Sequence, residues 1–265
     1  MKYGAMNFPV LPVISEIETF AALGFDYLEL TLDSPEAHYT GTRRQRDKIL
    51  RTLSVYNLGL VCHMPTFVHA ADLTESIRRA SVEELLASLD TAADLGAAKA
   101  VLHPPHLGGL GPLVRDTALG YAYASLEVMV AKAADLGVTL CLENMMPGAG
   151  AFFNPADFDD LFRRFPDCKL TLDTGHAHIG AGSTQKLLDF IRRFGDRIGH
   201  VHLSDNSGKG DEHLPLGCGR IDFHSVFEAL ADIGYDDTAT FEIFTQDRFF
   251  LKLSRERFAA LAGAE

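Results

Sequence analysis

The stretch Asp135-Leu136-Gly137-Val138-Thr139-Leu140-Cys141-Leu142-Glu143 joins the end of a helix to a complete strand. Asp135 and Leu136 close an amphipathic run that begins near Asp116, with apolar residues recurring at spacings of three and four. Gly137 reads as the stop, because glycine takes the left-handed conformation without a side-chain penalty. The following residues alternate as a strand does, placing Leu140 and Leu142 on one face and Glu143 on the other.

The same junction recurs along the chain. Ala22-Leu23-Gly24, Asp94-Leu95-Gly96 and Asp232-Ile233-Gly234 each end a helical run and precede a strand. Strand-like runs cover Lys2–Phe8, Asp26–Leu32, Gly59–His63, Ala98–His103, Val138–Glu143, Lys169–Asp173, Ile198–Ser204 and Thr238–Phe244, with starts about 34 residues apart on average. Helical periodicity is clearest over Glu75–Leu95, Asp116–Leu136 and Thr184–Phe194. Eight strand–helix units predict an α/β fold, a single (β/α)8 TIM barrel domain over residues 1–265. A doubly wound sheet does not need eight units, and no Gly-x-Gly-x-x-Gly follows the first strand. Gly108-Gly109-Leu110-Gly111 lacks the Lys-Ser/Thr of a phosphate loop and reads as a loop at the top of the barrel.

Composition narrows the function. The chain has 265 residues, 47% apolar, enough for one large core. Lys and Arg total 24 against 36 Asp and Glu, a net charge of −12 that disfavours general nucleic-acid coating. No apolar run reaches the roughly 18 residues of a membrane helix, and the N-terminus has no apolar leader core, so a cytoplasmic protein without membrane contact is expected. Cys62, Cys141, Cys168 and Cys218 form no Cys-x-x-Cys pair, and most read as small buried side chains rather than as a zinc site.

In a barrel one face of each strand meets the helices and the other meets the axis. Leucines at 140, 142, 170 and 172 suit the helix side, which turns Glu143, Thr171 and Asp173 inward. The same rule turns His200, His202 and Glu242 inward, and His63 and His103 close the third and fourth strands. Six successive strands thus bring His63, His103, Glu143, Asp173, His202 and Glu242 to the end where barrel enzymes keep their active sites. Taken singly, each would be an ordinary rim histidine or salt-bridge acid. Together, three acids and three imidazoles are costly to bury unless a cation joins them. Nitrogen and oxygen donors without sulfur suit Zn, Mn, Co or Fe better than Ca. His176 and the Asp211-Glu212-His213 unit offer further donors from loops. His38, His69, His106, His178 and His224 read as surface or packing residues, and His200 as a lower layer of the barrel or a neighbour of the ligands.

These residues resemble the xylose isomerase-like (β/α)8 superfamily, which holds ketose 3-epimerases, inosose isomerases and dehydratases, hydroxypyruvate isomerase and endonuclease IV. The likeness covers essentially the whole chain. It is most specific at Leu142-Glu143-Asn144, Leu172-Asp173-Thr174-Gly175-His176, Val201-His202-Leu203-Ser204-Asp205, Gly217–Phe223 and Phe241-Glu242-Ile243. In the sugar isomerase branch the resemblance implies one divalent metal on Glu143, Asp173, His202 and Glu242, with His176 against the substrate. It implies that Glu143 and Glu242 also move protons on opposite faces of a sugar, sugar phosphate or polyol, through a metal-stabilised enediolate. Many of these epimerases carry a basic residue soon after the histidine; Lys209 stands there, and no arginine does.

In the endonuclease IV branch the resemblance implies three zinc ions: one on His63, His103 and Glu143, one on Glu143, Asp173, His202 and Glu242, one on His176, Asp211 and His213. All nine ligand types are present. Against DNA stand the net charge and the run Met64-Pro65-Thr66-Phe67, where those endonucleases carry a tyrosine. The cluster Arg43, Arg44, Arg46, Lys48 and Arg51 after the second strand reads first as a solvated helix start, and otherwise as support for DNA or for a phosphorylated sugar. The expectation is a metal-dependent isomerase or epimerase with a small carbohydrate substrate and one metal per chain. An abasic-DNA phosphodiesterase with three metals is the alternative. A homo-oligomer is expected on base rates alone.

Overall fold

The computed structural model describes residues 1–180 and 184–263. The expected domain limits of 1–265 therefore include residues 181–183 and 264–265, which lie outside the described residues. Eight strands run β1 (Lys2–Met6), β2 (Tyr27–Thr31), β3 (Gly59–His63), β4 (Lys99–Leu102), β5 (Thr139–Glu143), β6 (Lys169–Asp173), β7 (Ile198–Leu203) and β8 (Thr238–Phe241). All are parallel, each pairs with the next in sequence, and β1 pairs with β8 to close the barrel.

Helices fill the intervals: α1 (Val13–Ala22), α2 (Tyr39–Arg44), α3 (Arg46–Tyr56), α4 (Glu75–Asp94), α5 (Arg115–Leu136), α6 (Pro155–Arg164), α7 (Thr174–His178), α8 (Gln185–Phe194), α9 (Phe223–Asp232) and α10 (Phe249–Ala260). Among the described residues no helix is long and apolar enough to cross a membrane. The Gly stops read from the sequence hold: Gly24, Gly96, Gly137 and Gly234 all have φ between 68° and 77°.

The core lies between barrel and helices. Leu28, Leu30, Leu140, Leu142, Leu170 and Leu172 are buried there with Ile17, Phe20, Phe158 and Phe190. Inside the barrel, Tyr27, Val61 and Val101 form a separate apolar layer beneath the polar residues of the same strand faces. Gly4 makes this layer fit, since a Cβ there would lie 2.2 Å from the Tyr27 ring. Five strands stop short of their expected ends: β1 at Met6, β2 at Thr31, β4 at Leu102, β7 at Leu203 and β8 at Phe241. His103 and Glu242 therefore stand just beyond their strands, whereas His63, Glu143, Asp173 and His202 remain within theirs.

Candidate metal centre

The strands bring the six inward residues to one end of the barrel; α7 adds His176, in place of the loop expected there, and the loop after β7 adds Asp211 and His213. Glu143 lies at the centre. Its Oε2 is 3.5 Å from His63 Nε2, 3.2 Å from His103 Nε2 and 3.4 Å from His202 Nδ1, and its Oε1 is 3.0 Å from His176 Nδ1. His202 Nδ1 is also 3.0 Å from Glu242 Oε1 and 3.7 Å from Asp173 Oδ2. The loop donors continue the cluster: Asp211 Oδ2 lies 3.4 Å from His176 Nε2 and 2.9 Å from His213 Nε2. His213 Nδ1 in turn lies 3.7 Å from Glu242 Oε2. All nine residues singled out in the sequence are therefore linked through short contacts.

Local structure aims several of them. Asp173 caps α7, accepting the His176 amide at 2.5 Å, and Asn144 brackets Asp173 by accepting its amide and donating to its carbonyl. His63 Nδ1 donates to the Met64 carbonyl at 2.7 Å, which turns Nε2 toward Glu143. Asp205, just past β7, accepts the amides of Asn206, Gly217, Gly219 and Ile221 and so ties down the loop that carries Asp211 and His213. Gly219 is required there, because a Cβ would lie 2.3 Å from the Asp205 carboxylate.

The residues fit a cation. Both oxygens of Glu143, Oδ2 of Asp173 and Nδ1 of His202 are fully buried and make no hydrogen bond. Such groups are costly to bury without a partner. Two donor sets of metal-site compactness share Glu143: His63, His103 and Glu143, and Glu143, Asp173 and His202. A third compact set, Glu29, His200 and His202, lies deeper and is internally hydrogen-bonded. Protonation follows from the crowding. Burial works against the charge of Glu143, but His103 and His202 hold it well below the usual range. Burial pushes Glu242 up to about 7, with Glu143 and Asp173 adding to the rise against the pull of His202. Burial lowers His103, while His176 and His202 are held well above the ordinary value by the carboxylates around them despite their burial.

Glu29 was not among the sequence candidates, although β2 alternates like its neighbours and turns Tyr27, Glu29 and Thr31 inward. It sits one layer below the strand ends, beside His200. Lys209 is exposed on its loop, and none of the contacts that hold the cluster involves it. The basic cluster after β2 needs a correction. Arg43 donates to Thr91 Oγ1 and the Ala87 carbonyl, and Arg46 to the Asp94 carbonyl, so both bind α4 outside the barrel and not the mouth. The reason is helix packing: α2 lies against α4, and the guanidinium groups reach the Thr91 hydroxyl and backbone carbonyls of that helix.

A closed parallel barrel with buried acids and imidazoles at its C-terminal mouth defines a (β/α)8 protein whose polar cluster lies where barrel enzymes keep their active sites. Residues 17–262 match the xylose isomerase-like TIM barrel family, and the chain belongs to it. A fructoselysine 3-epimerase of Shigella flexneri is 23% identical over 263 residues, covering 95% of this chain and 94% of that protein. A probable endonuclease 4 of Mycobacterium leprae is 28% identical over 223 residues, 80% of this chain and 82% of that one. The crystal structure of a D-tagatose 3-epimerase-like protein superposes with a TM-score of 0.89 at 25% identity, covering 99% of this chain and 97% of that one.

Proposed function

We propose that this chain is a divalent-metal-dependent epimerase or isomerase of a small ketose, working by proton transfer between Glu143 and Glu242. The observation that carries the proposal is the approach of these two carboxylates, from β5 and from just past β8, to the same nitrogen, His202 Nδ1, at 3.4 and 3.0 Å. The likeness to a fructoselysine 3-epimerase and a D-tagatose 3-epimerase-like protein supports a ketose substrate and reaction at its third carbon.

Glu143, Asp173, His202 and Glu242 would hold the ion. When bound, it supplies a positive charge that polarises a carbonyl and offsets the charge that develops on its oxygen. The protein's own groups do the rest. One of the two glutamates takes the proton from the carbon beside the carbonyl; the C–H electron pair becomes the double bond of an enediolate. The other returns a proton to the opposite face, which inverts that carbon. Glu242, raised to about 7, is matched to giving and taking a proton near neutral pH. His176, buried and ionised beside Asp211, faces the same space and would orient a substrate hydroxyl.

The test is incubation of the Mn-loaded protein with D-tagatose and D-fructose in deuterium oxide. Epimerisation with deuterium entering at the third carbon supports the proposal. Neither product nor exchange with any ketose would overturn it.

A second reading is favoured by Glu143's place in two donor sets and by the contact of His176 and His213 with Asp211. Three ions on nine residues would suit phosphodiester hydrolysis. Elemental analysis separates the readings: about one metal per chain supports the epimerase, about three zinc per chain directs the assay to abasic-site DNA.

A further inference from the structure

A chain of hydrogen bonds runs down the inside of the barrel from the metal centre to its far end. His202 Nε2 is 3.0 Å from Glu29 Oε1, and His200 Nε2 is 2.8 Å from Glu29 Oε2. His200 Nδ1 is 2.7 Å from Thr238 Oγ1, and Thr238 Oγ1 receives Lys99 Nζ at 3.1 Å. Lys99 spends its other protons on the Gly199 carbonyl at 2.7 Å and Asp237 Oδ2 at 2.6 Å. Glu29, His200 and His202 are entirely buried.

The direction of every bond in this chain is fixed by its ends. A lysine ammonium has donors and no acceptor, so Thr238 must accept from Lys99. The Glu29 carboxylate only accepts, so it takes the proton of His200 Nε2; a singly protonated His200 then has a bare Nδ1, which accepts the Thr238 hydroxyl proton. His200 therefore carries its proton on Nε2 and donates to Glu29, with Thr240 Oγ1 at 3.2 Å as a secondary acceptor. A carboxylate only accepts, so His202 also donates from Nε2. His202 Nδ1 is then the ring nitrogen turned toward Glu143, Glu242 and Asp173.

We infer that Glu29, His200, Thr238 and Lys99 are a positioning relay that sets the tautomer and ring orientation of His202. Lys99, at the opposite end of the barrel from the site, is its anchor. None of these four touches substrate. The inference rests on His202 being a metal ligand, as proposed above; the relay itself is a property of the metal-free protein.

The test is nitrogen-15 NMR of histidine-labelled, metal-free protein at neutral pH, paired with calorimetric titration by Mn2+ alone. The expected wild-type spectrum shows His200 without a proton on Nδ1 and with one on Nε2, and His202 with a proton on Nε2. A proton on His200 Nδ1 overturns the relay, and needs no variant that could misfold. Glu29→Gln is expected to bind Mn2+ roughly 10- to 100-fold more weakly, the usual cost of losing a partner behind a ligating histidine. Thr238→Val is expected to mix the His200 tautomers, while Thr238→Ser keeps the wild-type pattern. Unchanged tautomers and Mn2+ affinity in both Glu29→Gln and Thr238→Val would refute the inference. A wild-type protein that shows the expected tautomers but binds neither Mn2+ nor Zn2+ would sink the metal reading and, with it, the role assigned to the relay.

Discussion

Glu143 Oε2 and His202 Nδ1 stand 3.4 Å apart in the closed interior of the barrel, and neither atom makes a hydrogen bond. Two buried polar atoms left so are stabilised most by a third charge between them. Binding an ion to the native state alone adds about 2.7 kcal/mol when the ion is at 100 times its dissociation constant. For a chain of this size about 1 kcal/mol shifts the melting temperature by roughly 2–4 °C. Scanning calorimetry is therefore expected to show a melting point about 5–10 °C lower in EDTA than in excess Mn2+. Identical melting points in the two would count against a metal at this place.

Metal binding is expected to release protons near neutral pH. Glu242 sits at about 7 in the metal-free protein, raised first by burial and then by Glu143 and Asp173, against His202. Below that value the group is protonated and an ion must displace the proton, so apparent affinity falls as pH drops, by up to about tenfold per unit for each proton displaced. His202, held well above its ordinary value, adds to the release. Titration calorimetry at pH 6.5 in two buffers of different ionisation enthalpy should give heats that differ by about one proton or more per ion. Equal heats would show that Glu242 and His202 are already deprotonated.

Glu143→Gln and Glu242→Gln are each expected to lower kcat by at least about 100-fold, since each removes a group that carries a proton in the reaction. The two should differ in exchange. If each serves one face, one variant still washes label out of one epimer of the substrate and not the other. Proton NMR in deuterium oxide reads this directly, and near-normal turnover in both variants is the outcome that sinks the two-base mechanism.

The barrel and the six strand-end residues are legible in the sequence because both follow from period-2 alternation and its termini; His176, Asp211 and His213 are legible only as donors outside the strands, through their spacing and the family resemblance. Glu29 obeys the same alternation and was passed over, since its role depends on depth within the barrel, which strand pattern does not report. The ends of β1, β4 and β8 were placed too late for a related reason: polar Asn7, His103 and Glu242 keep the alternation after the ladder has ended. Arg43 and Arg46 look from sequence like part of an anion site. Whether a loop arginine turns to the mouth or to α4 is decided by helix packing, through the Thr91 and Ala87 acceptors, and a single sequence does not show that.

Thiol chemistry offers a check on burial away from the site. Cys62, Cys141 and Cys168 are buried, and burial pushes Cys141 and Cys168 up to about 12 and Cys62 higher still. Cys218 is exposed. A disulfide exchange reagent needs an accessible thiolate. Native protein is expected to react at Cys218 alone and denatured protein at all four cysteines. A second fast thiol in the native state would mean that the strand faces around β3, β5 or β6 open readily.

Asp205 is the residue on which the loop over the site depends. It is buried and accepts four backbone amides, from Asn206 at 2.9 Å, Gly217 at 2.9 Å, Gly219 at 2.8 Å and Ile221 at 3.1 Å. Its own backbone pairs with Leu214 on the far side of Asp211 and His213. Asp205→Ala leaves those amides without an acceptor, at about 1–3 kcal/mol for each that stays buried. The loop is expected to loosen rather than retain all four unpaired. Urea unfolding of Asp205→Ala should show a loss of about 3 kcal/mol or more. Protease cleavage should concentrate between Ser204 and Ile221, because an opened loop exposes backbone there. Asp205→Asn, which keeps one acceptor oxygen, should lose less. A variant as stable and as protease-resistant as the wild type would mean that the loop carrying Asp211 and His213 is held by other contacts.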